Sequence, residues 1–295
     1  YMVHLIKRVA AIHDLSGYGR ASLTTIIPIL SNMKIQVCPV PTAILSTHTG
    51  GYEGYSFMDL TDYMEKHINH WKKLNLEFDC IYSGFLGSPK QVKIVEDFVD
   101  FFGKKAELVV IDPVMGDNGV LYDTMSDEMV QEMKKLIQKA DIITPNFTEV
   151  MYLLGKEYKE DISIEEVKNS LVELSQMGPK IVIATSVPEP NTTLEKRTSV
   201  IAYDSENDVF WKVTCKYIPA SYPGTGDAYT SVLIGSLLQG DSLPIAMERG
   251  VQFTSQCIMA SYGFNYPTKE GVLLERMLDV LKIPTIATDY EMLPR

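Results

Sequence analysis

Leu108-Val109-Val110-Ile111-Asp112-Pro113-Val114-Met115-Gly116-Asp117 is the stretch on which the fold turns. Leu108–Ile111 is apolar and mostly β-branched, with no polar alternation, and reads as a short strand buried on both faces. It stops at Asp112-Pro113, because proline lacks a donor and restrains the residue before it. Asp112, Gly116 and Asp117 then fall in the loop. A buried strand running into a polar loop is the unit of a parallel sheet, in which ligands meet the loops beyond the strands' carboxyl ends.

The same alternation recurs on either side. Before it, Arg8–Ile12 reads as a first strand and Gln36–Leu45 contains a second, interrupted by Pro39 and Pro41. Phe57–Trp71 has helical spacing, Cys80–Ser83 is a strand and Pro89–Phe102 a helix. After it, helices are expected over Asp127–Ala140, Phe147–Leu154 and Ile164–Met177, and strands over Ile142–Thr144 and Lys180–Ala184. Thr198–Tyr203 and Val209–Cys215 alternate around the polar Asp204–Asp208 turn, the pattern of an antiparallel edge hairpin. From Gly226 the chain reads as helical, over Asp227–Leu238, Leu243–Tyr262 and Val272–Leu281, before a polar tail. The expectation is an α/β fold with a mostly parallel sheet covered on both faces. No repeat, low-complexity segment or Gly/Ser linker divides residues 1–295, so one domain is expected.

At 45% hydrophobic and 22% charged residues, the chain of 295 suits a globular protein and argues against disorder. Its formal charge of −11 speaks against generic binding to nucleic acid or an anionic membrane. It does not exclude an anionic ligand, which backbone N–H groups can hold locally. Cys38, Cys80, Cys215 and Cys257 have no CxxC or zinc spacing and read as reduced, mostly packed thiols. No signal-like leader and no apolar run near the ~20 residues of a membrane span is visible, so a cytoplasmic location is expected.

Chemistry-bearing residues collect at one edge of the expected sheet. Asp14 follows the first strand, Ser83-Gly84 the third, Asp112 the fourth, Thr144 the fifth and Thr185-Ser186 the sixth. Pro223-Gly224-Thr225-Gly226-Asp227 precedes a helix of small and apolar residues. Its glycines can turn backbone N–H groups toward one point, and the helix N-terminus adds partial positive charge. That can make an anion hole at Gly224, Thr225 and Gly226, with Asp227 placed to take a proton from an attacking hydroxyl, or Asp227 can be a plain carboxylate at a helix N-terminus after a Gly-rich turn. Asp112 and Asp117 can hold Mg²⁺ through oxygen and water ligands, or can be plain solvated loop aspartates. In Thr144-Pro145-Asn146-Phe147-Thr148-Glu149, Glu149 can ligate metal-bound water and Asn146 can meet phosphate, or the two can form a capping box. The hydroxyls of Thr185 and Ser186 suit nucleotide phosphate, or the pair can be a plain polar strand end.

Taken in order, DPVMGD, TPNFTE, the Thr185-Ser186 pair and GTGD resemble the ribokinase-like superfamily, and within it the pyridoxal kinases. Ser46-Thr47-His48-Thr49-Gly50-Gly51-Tyr52 is similar to that family's substrate-side segment, and the resemblance runs from about Arg8 to Leu281. It implies a three-layer α/β/α fold without a large lid domain, and ATP-dependent phosphorylation of the 5′-hydroxymethyl group of pyridoxal, pyridoxamine or pyridoxine. Asp227 would be the base, and Asn146, Thr185, Ser186, Thr225 and Gly226 would bind ATP. Asp112, Asp117, Glu149 and Thr144 would organise Mg²⁺ and a monovalent cation, K⁺ or Na⁺. Asp14, Ser46, His48, Thr49, Phe85 and Val114 would face the vitamer, and Lys216–Tyr222 would border the adenine or act as a flap. A homodimer through the sheet edge or nearby helices is implied as well.

Departures from the family pattern bear on the substrate. Asp14 stands where many members carry Ser, Arg20 follows Gly17-Tyr18-Gly19 in place of a Gly-Asn pair, and Phe85 replaces a Tyr. His13-Asp14-Leu15-Ser16-Gly17 is also similar to the first loop of hydroxymethylpyrimidine kinases, the alternative reading. A catalytically silent vitamin-binding protein on the same fold is a third, against which the intact Asp227 and acidic residues weigh. No GxxxxGK[ST], HRD, DFG or GxGxxG is present. His67 and His70 read as a solvated helix face, and the methionines as core filler.

Overall fold

The computed structural model describes residues 5–189, 196–283 and 289–295. The first half comprises β1 (Arg8–Tyr18), α1 (Leu23–Asn32), β2 (Gln36–Thr47), β3 (Phe57–Asp59), α2 (Thr61–Lys73), β4 (Cys80–Ser83), α3 (Pro89–Phe102) and β5 (Leu108–Ile111). Short strands β6 (Gly116–Asp117) and β7 (Val120–Leu121) form a separate hairpin. Then come α4 (Asp127–Leu136), β8 (Ile142–Ile143), α5 (Phe147–Leu154), α6 (Ile164–Ser175), β9 (Ile181–Pro188), β10 (Arg197–Asp204) and β11 (Val209–Lys216). Helices α7 (Thr225–Leu238) and α8 (Leu243–Tyr262) and strand β12 (Tyr290–Leu293) complete the chain.

The main sheet runs β3-β2-β1-β4-β5-β8-β9-β10-β11-β12 among the described residues. The pairs from β2 through β9 are parallel, while β3 and the β10–β12 group are antiparallel. Alternate residues of one strand feed opposite layers, as the pleat requires. Ala10 and Ile12 of β1 join a core with Val95 and Phe98 of α3, Met133 of α4, Val150 of α5 and Leu171 of α6. Val9 and Ala11 join the opposite core with Ile26 and Ile29 of α1, Val232 and Leu233 of α7 and Phe253 of α8. The expected three-layer α/β/α architecture is therefore present. No helix among the described residues is long and apolar enough to cross a membrane.

Several local expectations need correction. Phe57–Asp59 is a strand, paired with Ala43–Leu45, and α2 starts only at Thr61, whose N–H donates to Asp59 Oδ1 at 2.6 Å. Val272–Leu281 is not a continuous helix but short 3₁₀ turns at Leu274–Arg276 and Leu278–Lys282. There the Leu273 N–H is taken by Ser261 Oγ and the Gly271 carbonyl by the Tyr266 hydroxyl, so local bonds replace the helical ladder. The polar tail adds β12 to the hairpin edge. Helix α1 carries no obvious sequence signal, because Pro28 and its β-branched neighbours disfavour helix. Packing against α7 overrides that propensity. His67 is half-buried edge-on to Trp71, with ring centroids 4.4 Å apart, so the solvated-face reading holds for His70 alone.

Strand β1 has β2 on one side and β4 on the other, so chain order reverses there. The crevice beyond the carboxyl ends of β1 and β4 is the switch point at which such sheets bind ligands. Phe98 tests the packing beneath it: fully buried, its ring stands 4.5 Å from Phe102 and 6.1 Å from Phe78. Phe98→Ala is expected to cost about 3–5 kcal/mol, read as a lower urea midpoint at unchanged slope.

Candidate active site

The turn before α7 is built on a close backbone approach. Gly224 is left-handed, with φ of 77°, and a Cβ there would collide with the Arg20 carbonyl oxygen and sit 3.0 Å from Ala21 Cα. Glycine alone meets both demands without strain. The turn presents the first N–H groups of α7, which have no intrahelical acceptor, and Asp227 stands among them. Gly226 lies against Asp112, with 3.9 Å from its Cβ position to Oδ2.

Asp227 is only 15% exposed at its side chain. Its Oδ2 accepts the Ser22 N–H at 2.8 Å, while Oδ1 lies 4.0 Å from Nδ1 of His13. Burial raises the Asp227 pKa to about 7, against the pull of the Ser22 N–H and with added push from Asp14. His13 is fully buried against Tyr82, and burial lowers its pKa to about 3. It is therefore neutral at physiological pH and offers Asp227 no positive charge.

Asp112 begins the loop after β5, with its N–H donating to the Ser83 carbonyl at 2.8 Å. Burial, Glu149 and Asp227 together hold its carboxyl well above the ordinary range. Glu149 on α5 accepts from the backbone N–H of Met115 at 2.9 Å and of Asn146 at 2.8 Å. Burial nonetheless outweighs these bonds and pushes it up to about 8. The capping-box reading of Asn146 and Glu149 is realised, and Asn146 Nδ2 also donates to the Gly116 carbonyl at 2.7 Å. Thr148 Oγ1 accepts the Gly119 N–H, so α5 and its cap hold the loop after β5 at Met115, Gly116 and Gly119. Tyr122, which carried no sequence signal, lies within range of this group. Burial first, then the charges of Glu149, Asp117, Asp112 and Asp227, drives its phenol pKa upward.

Most of the other expected site residues have partners of their own. Asp117 is bonded to Asn118 through both oxygens. Thr144 Oγ1 accepts from Thr230 on α7 at 3.2 Å. Asn146 bridges to Thr185, and Ser186 is exposed with φ of 53°, at a bulge in β9. Phe85 and Val114 are half-buried in the loops after β4 and β5. Ser46 Oγ accepts the Ser56 N–H and Thr49 is exposed. His48 is a clamp: Nε2 meets the Lys269 carbonyl at 2.6 Å and Nδ1 accepts the Gly50 N–H at 3.1 Å. Asp14 accepts from Ser22 Oγ at 2.6 Å and Ser16 Oγ at 3.1 Å. Tyr222, at the end of the expected flap, is buried against Tyr266.

Among the described residues no group of three or more His, Cys, Asp or Glu side chains is disposed to hold a metal unaided. Buried carboxylates at Asp112 and Glu149 without a positive partner still suit a hard cation that keeps most of its water and takes phosphate oxygens as further ligands.

A carboxyl with a raised pKa in the first turn of a helix, at the ligand-binding edge of such a sheet, suits phosphoryl transfer to a small molecule, and this chain is a ribokinase-like small-molecule kinase. Known proteins agree. The phosphomethylpyrimidine kinase family matches residues 20–271, and the chain belongs to that family. A candidate phosphomethylpyrimidine kinase from Bacteroides thetaiotaomicron VPI-5482, crystallised with pyridoxal, is 55% identical over 98% of this chain and 100% of its own, at a TM-score of 0.92. Pyridoxal kinase from Lactobacillus plantarum is 28% identical, covering 94% of this chain and 97% of its own, at a TM-score of 0.85. The pyridoxal kinase PdxY of Burkholderia lata is 26% identical, covering 87% of this chain and 90% of its own.

The raised carboxyl pKa values have a stability consequence. A carboxyl with a higher pKa folded than unfolded binds more protons in the native state, so its contribution to stability falls as pH rises through that interval. For Asp227 the interval runs from the ordinary 3.8 to about 7. Asp227→Asn should therefore melt above wild type at pH 8, with the gap closing toward pH 5. A gap that is constant with pH, or reversed, would contradict the assignment.

Proposed function

We propose that this protein transfers the γ-phosphoryl group of ATP to the 5′-hydroxymethyl group of pyridoxal, pyridoxamine or pyridoxine, as a single kinase domain. The observation that carries the substrate is the 55% identical relative crystallised with pyridoxal. Asp227 Oδ1 takes the hydroxyl proton as the substrate oxygen attacks the γ-phosphorus and ADP leaves. The first N–H groups of α7, at Gly224, Thr225 and Gly226, face the charge that builds on the transferring group. Asn146, Thr185 and Ser186 line the nucleotide phosphates. Ser46, Thr49, Phe85 and Val114 border the vitamer, with His48 and Asp14 holding the loops behind them.

Asp112 and Glu149, with Asp117 at the loop tip, would hold Mg²⁺ through its water shell, and Asp112 with Thr144 a monovalent cation, K⁺ or Na⁺. Such ions neutralise phosphate charge in transfer reactions. A cytoplasmic setting suits the free thiols of Cys38, Cys80, Cys215 and Cys257. Hydroxymethylpyrimidine is the second reading, favoured by the description of the matched family and by the His13–Gly17 loop.

The strand edge at β3 supports a homodimer. Ile44, Phe57 and Met58 are 43–60% exposed on β2 and β3, an apolar edge that pairing between two copies would cover. Met58→Asp should then shift sedimentation from dimer to monomer, whereas a wild type that sediments as a monomer rules the interface out.

Asp227→Asn is the direct test of the chemistry. Turnover with ATP and pyridoxal should fall by about 10²–10⁴, the usual worth of a positioned base. Near-normal kcat in that variant would remove Asp227 from proton transfer.

A further inference from the structure

Ser22 stands between the catalytic aspartate and a second buried carboxylate. It occupies the N-cap position of α1, where a serine hydroxyl ordinarily accepts a backbone N–H of the first turn. Here the side chain makes no capping bond. Its Oγ donates instead to Asp14 Oδ1 at 2.6 Å, and its backbone N–H donates to Asp227 Oδ2 at 2.8 Å. Ser22 also holds φ of 51° and ψ of −131°, which an L-residue seldom adopts. A conformation of that kind persists only where its surroundings over-determine it.

Ser22 is held in this way from several sides. Its carbonyl starts α1 by accepting from Thr25 and Ile26, each at 2.9 Å. The preceding Arg20-Ala21 backbone lies against Gly224. Asp14 fixes the hydroxyl and is itself steadied by Ser16, and Asp14, Ser16 and Ser22 are all buried. The left-handed turn is what swings the Ser22 N–H toward α7.

We propose that Ser22 is a positioning residue that fixes one oxygen of Asp227, and that Asp14 acts through Ser22 by locking its hydroxyl. Pinning Oδ2 leaves Oδ1 as the oxygen that receives the substrate proton, at one orientation relative to the α7 N-terminus. Asp14, expected from the family pattern to meet the vitamer ring, then serves the base and not the ring. The inference rests on Asp227 being the base and is independent of which acceptor ring is phosphorylated.

The test is steady-state kinetics of Ser22→Ala, Ser22→Gly, Asp14→Ala, Asp14→Asn and the double variant Ser22→Ala/Asp14→Ala, each confirmed folded by thermal melting. Assays use whichever of pyridoxal or hydroxymethylpyrimidine the wild type phosphorylates. Ser22→Ala and Asp14→Ala should each lower kcat about 10–100-fold, the worth of one charge-assisted hydrogen bond, with KM for acceptor and ATP unchanged. The double variant should be no worse than either single one, because both break the same link. Asp14→Asn, which keeps an acceptor for the hydroxyl, should recover most of the loss. Ser22→Gly relieves the left-handed strain, so it stays folded while still losing kcat. Wild-type kcat in Ser22→Gly, or a raised acceptor KM at normal kcat in Asp14→Ala, would overturn the proposal. Failure of the substrate assignment is read separately, from the wild type turning over the pyrimidine and not the vitamer.

Discussion

The backbone of Gly224 rests on the backbone of Arg20 and Ala21 with no room for a side chain between them, and most of the site follows from that contact. It brings the turn before α7, late in the chain, against the loop after β1, near its start. Once the two backbones touch, Asp227 falls within reach of the Ser22 N–H. The contact is supported from behind by α1 packing on α7, where Gly235 leaves room for Met33. Ile26, Ile29 and Leu30 lie in the same core as Val232 and Leu233. The layer beneath the sheet thus sets the distance between Asp227 and Ser22.

Electrostatics supplies the second constraint. Asp112 and Glu149 are buried and Asp227 is largely so, while His13, the imidazole beside Asp227, is held neutral. Backbone N–H groups satisfy Glu149 and half of Asp227 but bring no net positive charge. A folded chain that keeps such a group together carries an energetic cost that a phosphate-bound cation would offset. The same arrangement brings the Asp227 pKa near neutrality, where a carboxylate proposed as a base would work best at physiological pH.

Much of the fold was legible because its signals are local. Leu108–Ile111 and Lys180–Ala184 could only be buried strands, and the Asp204–Asp208 turn between alternating runs could only be a hairpin. Helix α1 was not legible, since Pro28 and β-branched residues argue against the helix that tertiary packing imposes. The β3 edge and β12 were hidden for a related reason, in that a short exposed strand is defined by its partner and not by its own pattern. At the site, GTGD and DPVMGD stood out because glycine and proline mark special backbone. Ser22 gave no such mark, because its left-handed turn and its two acidic partners come from tertiary contacts and not from its own neighbours in sequence. Tyr122 was equally silent, one tyrosine among 16.

The central claim is that a pyridine vitamer is the phosphoryl acceptor at Asp227. Its most direct test is an ADP-release assay with ATP and Mg²⁺ that compares kcat/KM for pyridoxal, pyridoxamine, pyridoxine and hydroxymethylpyrimidine. A pyridine vitamer is expected to be preferred over the pyrimidine by at least about tenfold, a difference of roughly 1.4 kcal/mol in transition-state binding. Preference for the pyrimidine would contradict the substrate, and silence on all four would contradict the kinase reading itself.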